Sequence, residues 1–179
     1  MIKTIAIAVV VLIVIALGVV LGLAATKPDT FRVQRAMTIK APPGKIYALI
    51  NDFRTWGQWS PWEKKDPAMK RTFSGPASGK GAAYAWEGDK NVGQGRMEIV
   101  DSVAPSRIAI KLDFVKPFEA HNTVLFTLAP RGDATDVTWD MQGPTPFFAK
   151  VIHVFLDMDK MVGNDFETGL ANLKAASEK

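Results

Sequence analysis

From Thr4 to Thr26 the chain carries no charged side chain, and between those threonines it reads IAIAVVVLIVIALGVVLGLAA. A helix rising about 1.5 Å per residue over such a run covers roughly the 30 Å hydrocarbon thickness of a bilayer. Ile, Val, Leu and Ala surround it with no polar stripe, so as a core helix it would need partners on every side. Two readings remain, a membrane anchor and a cleaved secretory leader, and Lys3 could supply the basic start of either. The apolar region of a leader runs to about 7–15 residues and this one is longer, so the expectation is a retained anchor over residues 1–26.

Orientation rests on few charges. Lys3 and the amino terminus stand on one side, with Lys27, Arg32 and Arg35 on the other, the last two inside the folded part. A short amino-terminal tail with one lysine is the pattern of a signal anchor, which places the domain on the exported side, periplasmic or extracellular. The absence of cysteine is compatible with that compartment. After the anchor about 150 residues remain, one ordinary domain. The net charge of +4 is spread along the chain rather than gathered in a basic run, which argues against nucleic acid and suits a position near anionic lipid headgroups.

Residues 27–30 form a short polar linker with a proline. Phe31, Val33, Met37 and Ile39 then share one face of a predicted strand. Pro42-Pro43 stops it and opens a helix to about Phe53, with Ile46, Tyr47, Leu49, Ile50 and Phe53 as its buried stripe. Trp56-Gly57-Gln58-Trp59-Ser60-Pro61-Trp62 reads as a helical turn and loop. Six alternating runs follow, at 70–73, 82–87, 95–102, 107–114, 120–129 and 133–142, separated by turn residues, and such short links imply an antiparallel meander. Thr145 and Pro146 open a predicted helix of about 30 residues in which Phe148, Val151, Ile152, Phe155, Met158, Val162, Phe166, Leu170 and Leu173 recur every three or four positions.

The stretch Asp52 to Trp62, the run Gly75 to Gly81 leading into Ala83-Tyr84-Ala85-Trp86, Thr135 to Trp139, and Phe166 to Lys174 together resemble the polyketide cyclase/dehydrase branch of the START-like, Bet v 1-like (SRPBCC) helix-grip superfamily. The resemblance covers Phe31 to Ala176. It implies an α+β helix-grip fold: a curved antiparallel sheet of about seven strands, a long carboxy-terminal helix across it, and here one transmembrane helix before it. Residues 31–179 would be the START-like ligand-binding domain, with an apolar cavity for a hydrophobic small molecule or lipid between sheet and helix. The resemblance does not imply a reaction, because carriers, sensors, cyclases and hydrolases share the fold. The amino-terminal helix departs from a soluble cyclase.

The residues expected to line that cavity come from four places. Trp56, Trp59 and Trp62 are spaced by three and either wall a ligand mouth or seal one end of the core. Tyr84 and Trp86 share a strand face. Alternation puts Leu112 and Phe114 on one face with Ile108 and Ile110, then Asn122, Val124 and Phe126 with Leu128, then Trp139 and Met141 with Val137. Phe155, Met158 and Val162 would oppose them from the last helix. Asn122 and Tyr84 would orient a polar group of the ligand.

Signals for catalysis are sparse. His121 alternates with Asn122 and points outward, and His153 lies among apolar neighbours without a ligand partner at metal spacing. No Gly-x-Ser-x-Gly elbow occurs, and Gly79-Lys80-Gly81 precedes a strand and lacks the Ser or Thr of a phosphate loop, so the glycines at 75, 79, 81 and 88 mark turns. Asp157, Asp159, Asp165 and Glu167 read as solvated helix surface, with Asp140 and Glu87 at strand ends. The expectation is binding without metal or cofactor. The rivals are a cyclase or dehydrase using a carboxylate or Tyr84 as acid or base, and a tethered scaffold docking through Trp56, Trp59 and Trp62.

Overall fold

The alternating runs pair into one antiparallel sheet in a computed structural model that describes residues 2–179. Its strands are β1 (Thr30–Ile39), β2 (Lys70–Ser74), β3 (Ala83–Glu87), β4 (Gln94–Val103), β5 (Arg107–Lys116), β6 (Ala120–Arg131) and β7 (Ala134–Pro144), in the order β1-β7-β6-β5-β4-β3-β2. Only β1 departs from sequential neighbours. It crosses to the far edge and pairs with β7 from Thr30↔Pro144 to Ile39↔Thr135.

The chain begins with α1 (Ile2–Ala25), a helix whose mean hydropathy of 3.3 and length suffice to cross a membrane. Between β1 and β2 lie α2 (Pro43–Asn51), a 3-10 turn (Phe53–Gln58) and the one-turn α3 (Trp62–Lys65). Two helices close the chain, α4 (Phe147–Phe155) and α5 (Met158–Ser177). The fold is therefore an α+β helix grip, with α5 crossing the concave face of the sheet and packing chiefly on β1.

The single long final helix expected from the apolar period is broken. Leu156 and Asp157 adopt extended backbone, and the Asp157 side chain accepts a hydrogen bond from the Lys160 amide at 3.1 Å, capping α5. The same heptad-like spacing runs through both helices, so period alone does not reveal the break. Thr145 does not cap α4: the residue before the helix is Pro146, without a side-chain cap, and Thr145 is buried with its hydroxyl lacking a partner within the described residues.

The core sits between α2, α5 and the concave face. Ile39, Ile46, Ile50, Ile99, Ile108, Ile110, Phe126, Val137 and Leu173 are fully buried there, as alternation requires. One residue interrupts the apolar face of β1. Arg35 reaches up to α5, where its guanidinium donates to Asp159 at 2.9 Å and to Glu167 at 2.7 Å, holding the Asp159 carboxyl below its usual range. The plane of that guanidinium occupies the space a side chain at Gly163 would take, 2.0 Å from an added Cβ. Gly169 plays the same part deeper in the core, where a Cβ would come 2.7 Å from the Trp139 ring and 3.2 Å from Pro61. Rings cannot swing away as a long side chain does, so Gly169→Ala is expected to lower stability by about 1–3 kcal/mol, read as a lower melting temperature by near-UV circular dichroism.

Candidate functional site

The concave face divides into a packed half and an open half. At the packed end, Trp139 is the hub. Its ring stacks on Phe166 of α5 with centroids 4.1 Å apart and planes 9° from parallel, and it meets Phe126 at 4.8 Å, Trp59 at 5.5 Å and Trp62 at 5.8 Å. Trp56 adds contacts to Trp59 at 4.7 Å and to Phe126 at 6.4 Å. These rings fill the depth between sheet and α5 where a continuous hollow was expected.

The tryptophans also close α2 chemically. The last carbonyls of a helix lack intrahelical donors. Here the Trp56 indole donates to the Ile50 carbonyl at 3.0 Å and the Trp59 indole to the Leu49 carbonyl at 2.9 Å, joined by the Thr55 hydroxyl at 2.7 Å. Trp56 and Trp59 are buried and Trp62 half-buried against the same cluster. The three rings form one structural unit that seals this end of the core.

Tyr84 lies in a buried polar knot rather than free in a hollow. Its hydroxyl donates to Glu63 at 2.6 Å, and the other Glu63 oxygen accepts from Arg71 at 2.7 Å. Burial first, and then the Glu63 carboxylate, push the phenol above its usual range. The remaining buried ionisable groups are likewise committed: Asp140, on the outer face, pairs with Arg32, and Lys150 pairs with Asp29 in the linker. His121 lies outside on Asp113, whose hydrogen bond raises the imidazole. Among the described residues, no group of three or more potential metal ligands gathers.

The open half lies at the other end of the strands, near the start of β1, the end of β7 and the β5–β6 turn. Register places Leu112 beside Asn122 and Met97, Val124 beside Met141, and Met141 beside Val33, all on the concave face. Burial is slightly looser at this end: Leu112, Met97, Trp86, Met141 and Asn122 are buried with 6–9% exposure, against 0–3% for Trp56, Trp59, Phe126 and Trp139. Phe114, Val162 and Phe31 are only half-buried, and Met158 is also half-buried at the start of α5. Within this apolar wall one polar atom stands out. Asn122 Oδ1 is buried and finds no donor in the protein, an omission that costs about 1–3 kcal/mol unless a partner arrives.

The break at Leu156–Asp157 lies at this end, beside half-buried Met158. α4 packs on α1 and meets the margin of the sheet through His153 on Phe31 and Phe148 on Phe118, while Leu112, Asn122, Val124 and Met141 stay buried on the concave face. Phe155, expected inside, is 70% exposed, and Phe148 and Met161 also lie outside. Trp86, Leu112, Phe114, Asn122, Val124, Met141, Met158 and Val162 are brought to the open half, whereas Trp56, Trp59, Trp62, Phe126 and Trp139 belong to the packed one. Two surface hollows adjoin this half, one sharing Trp86 with it and the other Met158. One of about 200 Å³ is lined by Thr72, Ala85 and Arg96 among others, and one of about 470 Å³ by Lys27 and residues 153–158.

His153 lies beside the second hollow, with its ring edge-on to Phe31 at 6.4 Å. Burial lowers its pKa, and Lys27 adds to the shift. The folded chain thus holds fewer protons here than the unfolded chain below about pH 6.5, so the stability it contributes is lost as pH falls through that window. The melting temperature is expected to drop between about pH 6.5 and 5 more steeply in the native chain than in His153→Gln.

Residues 30–178 match the family model described as polyketide cyclase / dehydrase and lipid transport. No curated protein matches by sequence. Among solved structures, a protein from Chromobacterium violaceum superposes with a TM-score of 0.59 at 16% identity, over 86% of this chain and 99% of that one. A Rhizobium loti protein gives 0.62 at 17%, over 82% and 96%. The di-domain ARO/CYC protein BexL of the BE-7585A biosynthetic pathway gives 0.60 at 15%, over 88% of this chain and 53% of its own. At these identities the likeness is one of fold.

Proposed function

Because the chain belongs to the polyketide cyclase, dehydrase and lipid transport family, we propose that it binds a hydrophobic small molecule or a single lipid on the open half of its concave face, at the surface of the membrane that α1 crosses. The observation that carries the reading is Asn122. An unpaired amide oxygen inside an apolar wall formed by Leu112, Met141, Phe114 and Val162 is the arrangement of a site that takes an apolar body and one hydrogen-bond donor. Burying about 200 Å² of ligand surface would contribute roughly 5 kcal/mol before the costs of association.

Binding is favoured over acid–base chemistry because Tyr84, Glu63 and Arg71 are fully engaged with one another. Scaffolding through the tryptophans is disfavoured because Trp56 and Trp59 are buried and spend their indole donors on α2.

The full-length chain in mild detergent, titrated with a dansyl-labelled fatty acid, is expected to show saturable energy transfer from tryptophan, Trp86 standing at the edge of the open half. Asn122→Leu is expected to weaken that binding about tenfold, the equivalent of about 1.4 kcal/mol, without lowering the melting temperature. Transfer that never saturates, or that is indifferent to Asn122→Leu, removes the proposal.

Attachment has its own test. The native chain is expected to sediment with membranes after alkaline extraction at its full-length mass. A soluble product shortened at its amino terminus would identify α1 as a leader instead.

A further inference from the structure

We propose that α4 and the β5–β6 turn form a second membrane contact, a strip of Phe118, Phe148, Phe155 and Leu156 that lies in the boundary between headgroups and acyl chains of the bilayer. The proposal rests on the reading that α1 spans that bilayer. Scattered apolar residues on a surface are ordinary, but contiguous ones are not. Phe118, Phe148, Phe155 and Leu156 are 57%, 60%, 70% and 49% exposed. The rings of Phe118 and Phe148 touch at 5.4 Å, which joins the turn to the helix.

The sidedness of α4 is the reverse of that of a helix facing water. A surface helix turns its charges to solvent and its apolar stripe inward. Here the lone lysine of α4, Lys150, is turned inward, its ammonium 2.5 Å from the Asp29 carboxylate in the linker, while the phenylalanines face out. That pair anchors α4 to the residues that follow α1.

The occupant follows from position. α4 packs on α1, whose last turns carry its one buried residue, Ala24, and half-buried Val20. The strip is therefore continuous with the end of the apolar span, at the level where hydrocarbon gives way to headgroups. Lys27 lies at the carboxy-terminal end of α4, and Lys116 stands two residues before Phe118, cations placed for anionic headgroups. A strip so placed holds the open half of the grip against the lipid surface, so an apolar ligand passes between bilayer and site without crossing water.

The chain contains no cysteine, so single cysteines can be labelled without background. Bimane would be attached at Phe118→Cys, Phe155→Cys and, as a control at the opposite end of β6, Ala129→Cys. The full-length proteins would be reconstituted in vesicles of phosphatidylcholine and phosphatidylglycerol. The labels at 118 and 155 are expected to be quenched by lipid carrying a nitroxide near the headgroup and shielded from aqueous iodide, with the reverse at 129. Adding Phe148→Ser is expected to shift the label at 118 toward the behaviour of 129.

Labels at 118 and 155 that behave as the one at 129 does would overturn the proposal. So would shielding that appears in lipid-poor detergent and rises with protein concentration, which would assign the strip to a second copy of the chain. Alkaline extraction of the same vesicles separates the two ways of failing. Protein that resists extraction yet leaves 118 and 155 open to iodide refutes the strip alone, whereas protein released by it refutes the anchor as well.

Discussion

The stack of Trp139 on Phe166 is the contact around which the rest of the domain is arranged. It fixes α5 to β7 at van der Waals distance, and the helix can come that close only because Gly169 presents no side chain to the ring. Trp59 and Trp62 then pack edge-on against Trp139, bringing the segment after α2 into the same cluster. Aromatic pairs of this kind contribute about 0.5–1.5 kcal/mol each beyond the area they bury. Their bulk also consumes the space that a capacious member of this fold would leave empty, which displaces the candidate site toward the other end of the strands.

At that other end the governing feature is a short side chain, Asp157. By capping α5 it lets the preceding residues leave the helix, and α4 departs from the sheet to lie on α1. Two features lie at this end: an apolar wall with a buried, unpaired Asn122 oxygen, and a row of phenylalanines turned outward beside the apolar span. The Arg35 clamp on Asp159 and Glu167 keeps the start of α5 on β1 despite the break beside it.

The strands were legible because alternation is a local rule. A half-buried sheet must show every second residue to the core, and the sets Ile108–Ile110–Leu112 and Val137–Trp139–Met141 face inward as their spacing dictates. Glycine and proline at the turns marked the connections. The site was legible only in part. Alternation names the face on which Trp139, Phe126, Leu112 and Asn122 lie, but it carries no information about depth, so residues of the solid end and of the open end looked alike. In the sequence Arg35 stands only as an interruption of the apolar face of β1. Its partners lie 124 and 132 positions away, beyond any local pattern. The pairing of Lys150 with Asp29, 121 positions apart, lies beyond local pattern for the same reason.

By itself the sequence determined which segments are helix and strand, which face of each is apolar, the helix-grip class, and the presence of an apolar helix able to cross a membrane, since each depends on the period and chemistry of neighbouring residues. Only the tertiary structure decided that aromatic rings fill half the grip, that the closing helix breaks and turns toward the amino-terminal one, and that Asn122 is left without a donor. Those outcomes depend on volumes and partners brought together across the whole chain, and no window of sequence holds both members of such a contact.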